Sequence, residues 1–174
     1  SYDLNLKDIF DVQEEIAITI ARELGVSANI RQKEDAPQRL TGNQGAYSLY
    51  MRARNLMTHR IDTGLEEAIS LLEQALKIDD NFSRAWAALA EAHVASTVLL
   101  NKRLSEAQAA AERCCRQAIA IDKSFAAPHA VLGRIFMQHR AYTAMQESLN
   151  TALTLDPDDT TALHHAGMAM IGVG

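Results

Sequence analysis

Residues 129–159, HAVLGRIFMQHRAYTAMQESLNTALTLDPDD, hold two apolar patterns with helical spacing, separated by a short polar stretch. The first pattern consists of His129, Leu132, Gly133 and Phe136. The second consists of Met145, Leu149 and Ala152. Residues three and four apart share one face of a helix, and Pro157 prevents the second helix from continuing. The stretch therefore predicts a helix–turn–helix unit.

Both patterns recur elsewhere in the chain. Copies of the first are Leu49-Arg52-Ala53-Leu56, Trp86-Leu89-Ala90-His93 and Leu163-Ala166-Gly167-Met170. Copies of the second are Ala68-Leu72-Ala75 and Ala111-Cys115-Ala118. The small residue of the first pattern recurs after 34 residues at Gly167, after 43 at Gly133 and after 37 at Ala90. A unit of 34 residues therefore repeats, with insertions in the two earlier copies.

A 34-residue helix–turn–helix unit with small and large residues at these positions resembles the tetratricopeptide repeat. The resemblance covers residues 46–174 and implies an all-α, right-handed superhelix of about three and a half repeats, at 46–80, 83–123, 126–157 and, in part, 160–174. Arg52 departs from the pattern at a usually apolar position, and Leu72 and Cys115 replace the commoner aromatic residue. These departures imply looser packing within the same fold.

The predicted helices span 46–58, 63–78, 83–98, 105–121, 126–138, 141–154 and 160–171. Two of them open on apparent capping boxes, Thr63-x-x-Glu66 and Ser105-x-x-Gln108. Small residues in the first pattern are expected to let the two helices of a pair approach closely. The insertion near 97–104 is expected either to lengthen both helices of the second pair by about one turn or to form a separate contact surface.

The first 45 residues differ from the repeats. Residues 7–24 have an amphipathic helical pattern, and Tyr2, Leu4 and Leu6 alternate like a short strand. Residues 26–45 are polar and contain Pro37, which predicts a linker. The run from residue 1 to about 79 also resembles a bacterial arrangement in which a TolB-like domain precedes tetratricopeptide repeats. That resemblance makes residues 1–25 the end of the preceding domain. It also implies a parent protein similar to class III adenylate/guanylate cyclases or to winged-helix activators.

Composition excludes several functions. The chain has 17 Lys and Arg against 22 Asp and Glu, so its net charge of −5 does not favour direct contact with nucleic acid. No apolar run is long enough for a membrane span. The 29 alanines, with only 8 glycines and 3 prolines, favour helix. We expect a cytoplasmic protein, or a periplasmic one if a membrane span precedes this sequence.

No catalytic motif is recognisable, and we expect neither a cofactor nor a metal. The adjacent Cys114 and Cys115 lack metal-binding spacing and are expected to be reduced thiols on a helix. The histidines lack metal-binding spacing with a supporting carboxylate, so a structural packing role is favoured for them. A protein-interaction scaffold is therefore the predicted function, with a regulatory segment of a nucleotide cyclase and a dimerisation module as alternatives. The sequence also ends after the first helix of a pair, which favours a longer natural protein.

Stacked helix pairs form a concave face lined by the first helix of each pair. Helical spacing predicts that the following residues line it: Tyr47, Tyr50, Met51, Arg54, Arg84, Ala87, Glu91, Ala130, Arg134, Met137, His164 and Met168. Three arginines and one glutamate favour a peptide or helix with apolar anchors and negative charge. The Lys/Asn pattern typical of the chaperone-tail clamp is absent, since Tyr50/Arg54 and Ala87/Glu91 stand at the matching positions.

Overall fold

The computed structural model describes residues 41–59, 61–100, 103–159, 162–164, 166 and 167, without the side chains of residues 61, 62 and 98. These residues form helices joined by short turns, and none of them is in a strand. The predicted helix at 7–24, the short strand before it and most of the predicted linker lie outside the described residues. Met168 of the predicted concave face also lies outside them.

In the described part of the chain, six helices form three antiparallel pairs. The helices are α1 (Gln44–His59), α2 (Ile61–Ile78), α3 (Ser83–Leu99), α4 (Leu104–Ile121), α5 (Ala127–Gln138) and α6 (Tyr142–Leu155). Residues 162–164, 166 and 167 are helical again and lie where the seventh helix is predicted. The all-α prediction is confirmed, and most predicted helix ends lie within two residues of the observed ones.

The start of α1 is set by Asn43. Its side-chain Oδ1 accepts a hydrogen bond from the backbone N–H of Ala46 (3.1 Å), and its own N–H donates to Oγ1 of Thr41 (3.0 Å). Asparagine satisfies free N–H groups at a helix start well, so α1 begins at Gln44, two residues before the predicted start. The Thr41 hydroxyl in turn donates to the carboxylate of Asp79 at the end of α2.

Both predicted capping boxes are wrong. Helix α2 already begins at Ile61, so Thr63 lies inside the first turn. Helix α4 begins at Leu104, and no side chain caps its first turn. The side chain of Gln108 instead reaches across to the next pair, where it donates to Oε1 of Gln138 and accepts from the His139 ring at 2.7 Å. Gln108 therefore bonds to residues of the next helix pair and not to the start of its own helix.

The same aspartate turn ends the second helix of each pair. The side chains of Asp79, Asp122 and Asp156 accept from the backbone N–H two residues later, at 3.0, 2.9 and 3.2 Å. Their own N–H groups donate to the helix at 2.9, 2.9 and 2.8 Å. Each aspartate thus closes its helix and forms an Asx turn that directs the chain into the next pair. This repeated turn explains the LKID, IAID and LTLD sequences.

Packing is most extensive within each pair, and consecutive pairs then stack on one another. Gly133 of α5 shows why a small residue is needed there. A Cβ atom at this position would lie 2.5 Å from Cδ2 and 2.7 Å from Cγ of Leu149 on α6. The equivalent Ala53 and Ala90 are fully buried, so the predicted close approach of the paired helices is confirmed.

One apolar core extends through the first two pairs and into α5. Its largest fully buried side chains include Phe82, Leu72 and Ile135. Burying such a side chain stabilises the fold by about 1.5–3 kcal/mol. Ala162 joins Ala130 and Ala152 in a smaller cluster, so the helical residues after Asp159 continue the stack beyond the third pair.

The insertion lengthens the second pair. Helix α3 has 17 residues and α4 has 18, whereas α5 has 12 and α6 has 14. Relative to the third pair, these differences amount to about one turn in each helix, which is one of the two expected outcomes. The first pair, with helices of 16 and 18 residues, is about as long as the second. Leu99 and Leu104 remain 41% and 52% exposed at the tip of the second pair.

Candidate functional site: a cleft on the first helices

The first helices of the three pairs lie against one another and form a common face. Contacts join α1 to α3 and α3 to α5 directly, in addition to the contacts within each pair. A cleft of about 310 Å³ opens on this face. It is lined by Arg54, Met57, Thr58, Glu91, Ala95, Val131 and Arg134. All of these residues belong to first helices, which places the cleft where the repeat pattern predicts a binding surface.

Three charged residues of the predicted set meet in this cleft, one from each pair. Nη1 of Arg54 donates to Oε2 of Glu91 at 2.7 Å, and both side chains are between one third and two fifths exposed. Partly exposed ion pairs of this kind contribute little to stability, about 0–1 kcal/mol. The Arg54–Glu91 pair therefore fixes the positions of these charges more than it stabilises the fold.

Arg134 differs from Arg54 in its surroundings. Within the described part of the chain it has no hydrogen bond or ion pair closer than 4.0 Å. Burial lowers the pKa of its guanidinium, while the nearby negative charge of Glu91 raises it. An arginine keeps its charge despite such a shift because its pKa starts above 12. The cleft therefore holds a half-buried cation, the Arg134 guanidinium, that has no bonded counter-ion among the described residues.

Tyr50 connects the cleft to the core. Its ring lies 4.9 Å from the ring of Phe82, centroid to centroid, and 6.4 Å from that of Tyr47. Burial raises the pKa of the Tyr50 hydroxyl, and the positive charges of Arg54 and Arg84 partly oppose this effect. Tyr50 thus remains neutral and packs α1 against the start of α3, with its hydroxyl near the charged residues of the cleft.

Arg84 is not among the residues that line the cleft. Its guanidinium carbon lies 5.0 Å from the centre of the Phe125 ring, which is a cation–π contact. The contact joins the start of α3 to the turn before α5. This placement gives Arg84 a structural role between pairs that its helical spacing alone did not reveal.

The remaining predicted residues fall into two groups. Ala87 and Ala130 are 2% and 0% exposed, so their side chains offer no surface to a partner. Met51 is 47% exposed, Met137 is partly buried and His164 is exposed. None of these five lines the cleft.

Sequence reasoning missed part of the cleft wall. Met57 lies three residues after Arg54, and Ala95 lies four residues after Glu91, so each shares a helix face with a predicted residue. This helical spacing is the sequence feature from which both residues could have been predicted. Met57, Ala95 and Val131 give the cleft an apolar wall beside its charges.

Other candidate chemistry lies outside this cleft. Cys114 and Cys115 are free, buried thiols, and burial raises the pKa of Cys114 to about 11 and that of Cys115 further. Burial lowers the pKa of His129. Within residues 41–167, as far as the structure describes them, no three His, Cys, Asp or Glu side chains converge as a metal ion requires. None of the described helices is both long and apolar enough to cross a membrane.

A solved structure identifies the architecture. The first TPR of Spaghetti (RPAP3), bound to the HSP90 peptide SRMEEVD, matches with a TM-score of 0.60. The match covers 75% of this chain and 94% of that one, at 16% sequence identity. The chain has the tetratricopeptide-repeat fold. In this fold α1–α2, α3–α4 and α5–α6 are successive helix pairs of the stack.

The sequence comparison is more limited. No family model matches the chain. A curated protein named "Putative adenylate cyclase 3", from Rhizobium meliloti (strain 1021), is 33% identical over 88 residues. These residues make up 51% of this chain but only 15% of that protein. The similarity is thus to a small part of a much longer protein.

Proposed function

We propose that this chain is a protein-interaction module that binds a peptide or helix in the cleft on its first helices. The observation that carries the proposal is the half-buried Arg134, which has no bonded counter-ion among the described residues and stands beside an apolar wall. Such a cation is stabilised by an acidic group of a ligand, and the low dielectric of a partly buried site strengthens the attraction. The preferred ligand therefore combines a carboxylate with an aliphatic side chain.

The tetratricopeptide fold supports this proposal because stacked repeats use such concave surfaces for binding. The matched structure holds a peptide, although the cleft here contains Arg54 and Glu91 where the chaperone-tail clamp has other residues. We therefore propose an acidic–aliphatic peptide of a different sequence. No direct nucleic-acid contact is proposed for this segment, and its proposed location is the cytoplasm.

The test uses two defined peptide pools. In the first, every position of a fluorescein-labelled 10-residue peptide is Glu, Leu or Ser, and in the second Lys replaces Glu. Fluorescence anisotropy is expected to show binding of the acidic pool in preference to the basic pool. Arg134→Gln is expected to weaken this binding about tenfold, because a charge-assisted contact is lost.

Arg116→Gln is the matched control. Arg116 lies on α4, pairs with Glu112 and is exposed, and its substitution changes the net charge of the chain equally. Binding should persist in this variant. Equal losses in the two variants would show that overall charge, rather than the cleft, attracts the acidic pool. No loss in Arg134→Gln would refute the cleft as the binding site.

The partial similarity to a putative adenylate cyclase favours a second, compatible proposal. In it, this module is a regulatory segment of a longer nucleotide cyclase. Sequencing the reading frame on both sides of the segment tests this proposal. A cyclase domain in the frame supports it, whereas a winged-helix domain supports a role in transcription regulation instead. A dimerisation module remains a further proposal, and light scattering that shows a monomer at high concentration contradicts it.

A further inference from the structure

Among the described residues that line the cleft, Glu91 is the only one with a carboxylate. It accepts a hydrogen bond from Arg54 at 2.7 Å, and its charge also reaches Arg134. A residue that serves only to line a site for acidic ligands would not be negatively charged. Attraction of acidic peptides by the cleft arginines therefore does not explain why a negatively charged residue stands at position 91.

The Glu91 carboxylate lies beside the two cleft arginines that would attract an acidic ligand group. Arg54, Glu91 and Arg134 come from three successive first helices, so Glu91 belongs to the middle helix and its charge acts on both arginines. A ligand carboxylate that approaches Arg134 meets the like charge of Glu91, and Arg54 is already engaged. Like charges placed together at a binding surface lower affinity and thereby exclude weak partners.

We propose that Glu91 is a specificity-determining residue, because its carboxylate competes with the acidic group of the ligand for the arginines of the cleft. It thereby excludes peptides whose sole recognition element is an isolated carboxylate. A peptide that binds must add apolar contacts along Met57 and Val131 to overcome this competition. The inference rests on the proposed binding of acidic peptides and concerns the selectivity of that same cleft.

The experiment compares Glu91→Gln with the unmodified chain, using the acidic peptide pool described above. Glutamine keeps the size of the side chain and still accepts a hydrogen bond from Arg54, but it removes the negative charge. Affinity for the acidic pool is expected to rise about three- to tenfold at low salt. The rise should shrink at 0.5 M NaCl, since screening then acts over about 4 Å.

Glu112→Gln is the matched control. Glu112 pairs with Arg116 on α4, outside the cleft, and its substitution makes the same change in net charge. Affinity should remain within a factor of two in this variant. A third variant, Glu91→Ala, repeats the test with a different side chain, and far-UV circular dichroism verifies that each variant is folded.

A second pool addresses the selectivity directly. In it Ser and Gly replace every Leu, so that its members present carboxylates without aliphatic side chains. Glu91→Gln should increase affinity for both pools by a similar factor, because the same like-charge repulsion is removed in each case. The pool without leucine, which the unmodified chain should not bind detectably, should therefore become measurable only in this variant. Equal affinity of the unmodified chain for the two pools would overturn the claim that Glu91 makes binding depend on the apolar contacts.

The outcomes separate this inference from the proposed function. If Arg134→Gln weakens binding while both Glu91 variants bind like the unmodified chain, the cleft is the site but Glu91 does not compete. If Glu112→Gln tightens binding as much as Glu91→Gln, overall charge is responsible and the inference fails. If neither the unmodified chain nor the Glu91 variants bind the acidic pool, both the inference and the proposed function are wrong.

Discussion

Substitution of Gly133 by alanine gives a direct test of how the third repeat is packed. The new Cβ would lie 2.5 and 2.7 Å from two carbon atoms of Leu149, whereas carbon atoms pack favourably at about 3.5–4.0 Å. Leu149 would have to move by about 1 Å, yet it is only 3% exposed and is enclosed by its neighbours. The substitution therefore forces either an unfavourable rotamer or a separation of α5 from α6.

Two effects of opposite sign determine how much Gly133→Ala changes the free energy of unfolding. Overpacking of a core costs about 1–3 kcal/mol. Replacing glycine by alanine within a helix contributes up to about 1 kcal/mol in the opposite direction. We expect Gly133→Ala to lower the free energy of unfolding by about 1–2 kcal/mol. Urea denaturation followed by circular dichroism at 222 nm measures this difference.

Two further variants isolate the steric cause. Gly167 occupies the equivalent position in the next unit, but an added Cβ there would meet nothing within 4 Å. Gly167→Ala should therefore leave stability unchanged or raise it by up to about 1 kcal/mol. In a Leu149→Ala background the clashing atoms are absent, so Gly133→Ala should no longer be destabilising.

Two results would refute this reasoning. One is an equal effect of alanine at Gly133 and at Gly167, which would show that the close approach of α5 and α6 is not limiting. The other is the same loss of stability from Gly133→Ala with and without the Leu149 side chain, since contacting residues should show a coupling energy.

Three further predictions concern other parts of the repeats. Gln108→Ala should destabilise the chain by about 1–2 kcal/mol, because the hydrogen bonds of this buried side chain to Gln138 and His139 are lost. Ser105→Ala should change stability by less than about 0.5 kcal/mol. Equal effects of the two substitutions in urea denaturation would instead indicate that Ser105 and Gln108 act together as a capping box. Asp122→Ala should cost about 0.5–1 kcal/mol through loss of its turn hydrogen bonds, and Asp122→Asn, which keeps the acceptor, should cost less. Cys114 and Cys115 should react with a thiol reagent at pH 8 only after urea unfolding, because the raised pKa values suppress the thiolate; since these thiols ionise more readily in the unfolded chain, stability should also fall as pH rises from about 9 to 11.

The repeat pattern predicted most of the fold because each repeat is a local unit. Helical spacing, the small residues at Ala53, Ala90 and Gly133, and the aspartates that end the second helices act over a few residues or between adjacent helices. Such short-range effects are visible in the sequence. The same logic predicted Arg54, Glu91 and Arg134 as a set, since they hold equivalent positions in successive first helices.

The prediction failed where a side chain had a choice of partner. Gln108 had a local acceptor role in a capping box and a tertiary role beside His139, and only the stacking of the pairs decided for the latter. For Arg84 the spacing predicted a place on the concave face but not the contact that its guanidinium makes with Phe125. A long polar side chain can reach several neighbours, so its own sequence position does not fix its contact.

By itself the sequence determined that this chain forms helix pairs with a 34-residue unit and which helices come first in each pair. It did so because backbone propensity, apolar spacing and turn residues are local properties. Only the tertiary structure decided that Arg54 is engaged by Glu91 while Arg134 has no bonded partner among the described residues, and that Ala87 and Ala130 are buried. Distances between side chains on different repeats depend on how the pairs stack, and that stacking is the sum of many contacts that no single stretch of sequence contains.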